Sequence, residues 1–220
     1  MSRRLLAWLA AGALVLGATT WIACIGAEPD PTCVTYCKNI NDNCTGDDQQ
    51  YPDGGGVCQR ICGMIPAGEA GVAQGDTIAC RNVSISATKD EQDPNAKHDE
   101  CVGGGIAAKQ CTGNDPCQAF CDVDLVACPT SLTKYTDVND CVSKCHNWGQ
   151  GFTGPILDST GNTLQCRVYH LELSQTGDPN DLTTHCPHTG DDSARCQSTD
   201  GGTDAGGDAG ADAAADATAD

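Results

Sequence analysis

"DPTCVTYCKNINDNC" spans residues 30–44, and "DPCQAFCDVDLVAC" spans residues 115–128. In both stretches an Asp-Pro pair precedes three cysteines, which are separated by three and then six residues. Asp30 and Asp115 are helix N-caps by type, and proline suits the first turn of a helix. Cys33, Tyr36, Cys37, Ile40 and Cys44 then fall at i, i+3, i+4, i+7 and i+11, which is the period of one helical face. Cys117, Phe120, Cys121, Leu125 and Cys128 repeat the stripe with one shift. Each stretch is therefore predicted to be an amphipathic helix whose buried face carries its cysteines.

Downstream of each helix lies a second stripe: Cys58, Ile61, Cys62 and Ile65 in one case, and Val138, Cys141, Val142 and Cys145 in the other. Two helices that each carry Cys-x3-Cys on the inner face can be joined by two bridges. If they pack antiparallel, the first cysteine of one meets the last of the other. That packing predicts Cys33–Cys62, Cys37–Cys58, Cys117–Cys145 and Cys121–Cys141. Spacing leaves open the pairing of Cys44, Cys80, Cys101, Cys111, Cys128, Cys166, Cys186 and Cys196.

The repeat extends along the chain. From Cys33 to Cys111 the gaps between cysteines are 3, 6, 13, 3, 17, 20 and 9 residues; from Cys117 to Cys196 they are 3, 6, 12, 3, 20, 19 and 9. "GDTIACR" (75–81) corresponds to "GNTLQCR" (161–167), and Tyr51 and Tyr135 each lie seven residues after the third cysteine. Such self-similarity is the mark of a duplicated unit. The expected fold is small and disulfide-rich. It has two tandem modules, 33–111 and 117–196, each a stapled helical hairpin followed by an irregular, Gly-rich half.

Composition supports cross-linking over burial. Aromatic residues are only 4% of the 220 residues, whereas there are 17 cysteines, a density at which disulfides replace hydrophobic core. The Cys-x-x-Cys knuckle common in zinc sites is absent from this chain. An oxidising compartment follows. At the N-terminus, Arg3 and Arg4 precede an uncharged apolar run from Leu5 to Ala23, the pattern of an export signal over residues 1–23. An uncleaved anchor is the other reading of this run.

Sixteen cysteines complete the two frameworks, which leaves Cys24 over. "WIAC" (21–24) places alanine and isoleucine just before a cysteine at the foot of the signal, as in lipoproteins whose cysteine is acylated and becomes the new N-terminus. Residues 24–32 would then be a short linker to the membrane. Cleavage after Ala27 is the alternative, and it would discard Cys24 and release the protein.

The formal charge of −18 becomes −20 once the two signal arginines are removed. So acidic a chain repels phosphate backbones, which argues against nucleic-acid binding. Residues 197–220 place six aspartates four residues apart among alanine and glycine. Like charges at i, i+4 oppose a helix, so this tail is expected to be disordered.

Four of the five histidines lie in the second repeat: His146, His170, His185 and His188. "YH" (169–170) and "HCPH" (185–188) could supply imidazoles His170, His185 and His188 to copper, zinc or haem iron, if Cys166 and Cys186 bring their loops together. Otherwise the rings pack on disulfides and cap loops. "CVSKCH" (141–146) is one residue longer between its cysteines than a haem-attachment motif. No nucleophile elbow, zincin helix or phosphate loop occurs, so catalysis has no positive support.

The segment "GNTLQCRVYH…THCPHTGDDSARC" resembles the C-terminal half of a cysteine-rich module found in lipoproteins of myxobacteria and related bacteria. The similarity is close over 117–196 and looser over 33–111, where "CRNVSI" replaces "CRVYH" and "HDEC" replaces "HCPH". It implies export and disulfides but no activity. The leading expectation is an envelope protein, lipid-anchored to the outer membrane or cell surface, that is structural or binds a protein or polysaccharide. The alternative is a metal- or haem-binding protein that uses the second repeat.

Overall fold

A computed structural model describes residues 31–52 and 55–197. The signal 1–23, Cys24, the Asp30 cap and the tail from residue 198 lie outside the described residues. The linker 24–32 runs into the first helix, which begins at Pro31.

The described chain is helical, with one isolated parallel bridge, Gly149 to Thr163, and no strand. Its helices are α1 (Pro31–Asn43), α2 (Gly56–Cys62), α3 (Ile78–Ala87), α4 (Pro94–Gly104), α5 (Pro116–Ala127), α6 (Thr130–Thr133), α7 (Val138–Cys145), α8 (Leu164–Leu173) and α9 (Pro179–Thr189). None of them is long and apolar enough to cross a membrane. The stripe of α1 is buried along its length, with Tyr36 and Ile40 wholly inaccessible. At the start of α5 the Asp115 carboxylate accepts from the amides of Cys117 and Gln118 at 3.0 and 3.3 Å, which satisfies donors that a helix start leaves open.

The later half of each repeat differs from the expectation of irregular chain. It folds into α3 and α4 in the first repeat, and α8 and α9 in the second. Each of these helices has a polar cap. Thr77 and Thr163 accept from the amides of Cys80 and Cys166 at 3.2 and 3.1 Å. Asp93 and Asp178, each followed by proline, accept from Asn95 and Asn180 at 2.9 and 2.8 Å. The glycines are used for close packing: a side chain at Gly104 would run into Ile85, and one at Gly105 into Gln50.

Eight disulfides join all sixteen cysteines of the described chain. Cys33–Cys62 and Cys37–Cys58 tie α1 to α2, and Cys117–Cys145 and Cys121–Cys141 tie α5 to α7. The pairs that spacing left open are Cys44–Cys101 and Cys80–Cys111, then Cys128–Cys186 and Cys166–Cys196. Every pairing in 33–111 thus recurs in 117–196. Cα separations run from 5.5 Å (Cys128–Cys186) to 5.9 Å (Cys121–Cys141), ordinary for cystine. So many bridges are consistent with an extracellular or envelope location.

The two halves pack against each other, and one hydrophobic cluster runs through both. Arg60 of α2 donates to the carbonyls of Gln175 and Thr176, and the Ile156 amide donates to Asp47 O at 2.8 Å. Polar groups also lie inside. Tyr36 donates to Gly104 O at 2.7 Å and lies 2.9 Å from the Tyr51 hydroxyl, and buried Arg81 pairs with Asp76.

Candidate metal centre

The second repeat brings together three of its four histidines. His170 lies on α8, while His185 and His188 lie one turn apart on α9. The conditional route through loops needs correction, because all three sit on helices. The segments around Cys166 and Cys186 do meet, with Cys166 tying α8 to Cys196 and Cys186 tying α9 to Cys128. Tyr135 further fixes the end of α9, its hydroxyl donating to Thr189 O at 2.7 Å.

Held this way, the two Nδ1 atoms of His170 and His185 stand 3.3 Å apart. The His170 and His188 rings meet edge to face at 4.6 Å between centroids, and one ligand nitrogen from each of the three histidines lies within 4.8 Å of the others. A tetrahedral ion with bonds of about 2.0–2.1 Å separates its ligand nitrogens by roughly 3.3–3.4 Å, so the His170–His185 spacing already suits such an ion. Without one, the same contact is a hydrogen bond between the two rings.

Electrostatics keep His170 neutral, the form in which imidazole can bind a metal. Burial pushes His170 down to about 3, helped by His188 and His185 and then by the guanidiniums of Arg195 and Arg167. The ring is only 7% exposed and is neutral at pH 7. Its Nε2 is buried with no hydrogen-bond partner among the described residues. His188 also lines a cleft of about 240 Å³ with Leu132, Lys134, Pro187 and Asp192.

The other histidines are engaged elsewhere. His98 Nδ1 lies 2.7 Å from Asp48 and its Nε2 lies 3.3 Å from Phe152 O, while His146 sits 3.1 Å from the capping carboxylate of Asp115. Two further groups bring cysteine beside histidine, Cys166 and Cys196 near His170, and Cys117 near His146. Their sulfurs are all in disulfides and offer no thiolate. The same fact removes haem attachment at "CVSKCH", since Cys141 and Cys145 are bonded to Cys121 and Cys117.

In the first repeat, the register of the shared "CR" and of the seventh cysteine puts Ser84, Glu100 and Gly103 where the second has His170, His185 and His188. The triad therefore belongs to one half only. Sequence reasoning missed the buried ionisable residues of this half. Asp124 and Glu172 are fully buried, and Arg167 stacks on the Trp148 ring at 3.7 Å. Asp124 carried a signal, since it stands seven residues after Cys117, on the cysteine stripe itself.

No protein-family model matches this chain, and comparisons with curated proteins and with solved structures found no match.

Proposed function

We propose that this chain is an exported protein of the bacterial envelope, lipid-anchored through Cys24, whose second repeat holds a copper or zinc ion on His170, His185 and His188. The observation that carries the metal reading is the convergence of three imidazoles from two helices, each fastened by its own disulfide. Neutral imidazole is the ligand form for these metals, and the first repeat has no counterpart of the triad. In this reading the chain is two copies of one stapled module, one kept as scaffold and the other carrying the centre. The role is binding, not catalysis.

The exported protein should carry about one equivalent of copper or zinc per chain by elemental analysis. His185→Ala combined with His188→Ala should abolish that content while leaving the disulfide map unchanged. Metal that survives the double variant, or none in the parent protein, contradicts the reading. Lipidation is tested separately by mass spectrometry of the mature N-terminus, which should begin with acylated Cys24. An unmodified N-terminus at Glu28 would mean a secreted protein.

A second reading, adhesion to an envelope protein or polysaccharide, draws on a separate feature. An uncharged groove of about 350 Å³, lined by Thr32, Ala67, Ala79, Asn82 and Val83 among others, opens beside the start of α1. Asn82→Arg would fill it, and loss of cell-surface binding with metal content intact would favour this role.

A further inference from the structure

We propose that the groove beside α1 docks a second copy of this chain, so that copies join head to tail by repeating the contact between the two halves. In this assembly the groove holds the second repeat of another copy instead of the envelope partner considered above, and the metal centre plays no part. Within one chain, the first repeat meets the second through α2, the turn at Asp47 and α4, and the second answers with α8 and the loop before it. Arg60 of α2 donates to the carbonyls of Gln175 and Thr176 just beyond α8. The Ile156 amide donates to Asp47 O at 2.8 Å, and His98 Nε2 of α4 lies 3.3 Å from Phe152 O. On this side Val168, Glu172 and Gln175, one stripe along α8 and past its end, are all buried. The elements on the two sides differ, so the contact is heterologous and leaves one face of each kind unused.

The unused face of the first repeat is the groove. Counted from Cys80 as from Cys166, the stripe Val168, Glu172 and Gln175 corresponds to Asn82, Ser86 and Lys89. There Asn82 is half-buried and the other two are exposed. Asn82 and Ser86, with Val83, wall the groove of about 350 Å³ along α3. Its other wall is the counterpart of the docking loop. The two loops begin alike, since the Ile78 amide donates to Pro66 O at 2.9 Å and the Leu164 amide to Gly149 O at 2.8 Å. The first loop is the shorter, with 17 residues between Cys62 and Cys80 against 20 between Cys145 and Cys166. It offers small residues, Ala67, Gly68, Ala70 and Gly71, to the groove, whereas the second carries Phe152 and Ile156.

The unused face of the second repeat lies at the other end of the molecule. By the same cysteine register, Ser131, Ser143 and Thr183 stand for Asp47, Arg60 and His98, and all three are exposed. Leu132 stands for Asp48, so this face gains an apolar side chain and loses a charge. Bulk missing from the groove is thus supplied by the face that the internal contact would bring to it. Terminal repeats that remain single present a polar outer face; the lining of this groove carries no charged residue.

The test is sedimentation velocity of the full exported chain in density-matched detergent, over a range of concentrations. The parent protein should form dimers and longer species as concentration rises. Val83→Arg spoils the groove and Ser131→Arg spoils the opposite face; both positions are exposed, so the disulfide map should not change. Each variant alone should associate about a hundredfold more weakly, as expected for a charge placed unpaired in an interface. Mixed in equal amounts they should form a dimer that grows no further, because each variant keeps the face that the other has lost. Variants that associate as well as the parent, or a mixture that stays monomeric, overturn the head-to-tail contact. A parent protein that stays monomeric throughout also overturns it, and leaves the groove to residues 24–30 of its own chain or to an envelope partner.

Discussion

Asp124 sits on α5 with its side chain fully buried, and neither carboxylate oxygen accepts a normal hydrogen bond. Burial pushes it up to about 7, tempered by the nearby Thr189 hydroxyl. Because the folded value lies above the unfolded value of 3.8, the folded state holds a proton that the unfolded state gives up. Stability is therefore full below about pH 4 and falls as pH rises toward 7. Asp124→Asn removes this dependence, and its stabilising effect should be roughly 2–3 kcal/mol larger at pH 8 than at pH 5, measured by urea unfolding at both. Equal effects at the two values would show that Asp124 stays ionised in the fold. The sequence reading assigned Leu125 to the stripe, but Leu125 is only partly buried and Asp124 takes the inner position. A helical period of 3.6 admits either i+7 or i+8, and the two staples to α7 set the rotation of the helix. The three histidines were legible because "YH" and "HCPH" concentrate imidazoles, but their shared position was not, since it follows from pairings that spacing leaves open.

The helices of each hairpin were legible from one regularity, Cys-x3-Cys on an apolar stripe, and antiparallel packing then decided the four inner pairings. The helices that follow were not. The sequence of α4, "PNAKHDECVGG", has almost no apolar face, and it is held in place by its Asp93 cap, by Cys44–Cys101 and by glycines that admit neighbouring side chains. Covalent anchoring thus substitutes for the hydrophobic period that sequence reading depends on. Two predictions belong to this scale. Cys37→Ser removes a staple that closes a 21-residue separation, and it should cost about 2–5 kcal/mol, read as a lowered urea midpoint in purified protein. Thr163→Val removes the side-chain acceptor at the start of α8. It should cost about 1 kcal/mol and raise hydrogen exchange at the Cys166 amide; unchanged exchange would show that the cap is not holding that turn.

Across the whole molecule, the halves are joined by more than the "TGND" connection. Arg60 reaches from α2 to the carbonyls of Gln175 and Thr176, and Gly177, at φ +102°, leaves room for the guanidinium beside it. Arg60→Ala should speed hydrogen exchange around residues 175–178 and lower stability by about 1 kcal/mol, without altering any disulfide. This contact was invisible to a reading based on internal repeats, because its partners lie in different halves and have no repeated counterpart. The same packing holds the triad on a body with eight cross-links, where the rings cannot easily move apart. X-ray absorption of the copper-loaded protein addresses the centre most directly. The account predicts a first shell of three imidazole nitrogens at about 2.0 Å that is lost in the His185→Ala, His188→Ala double variant. A shell of sulfur or carboxylate oxygen, or one that the double variant leaves unchanged, would contradict it.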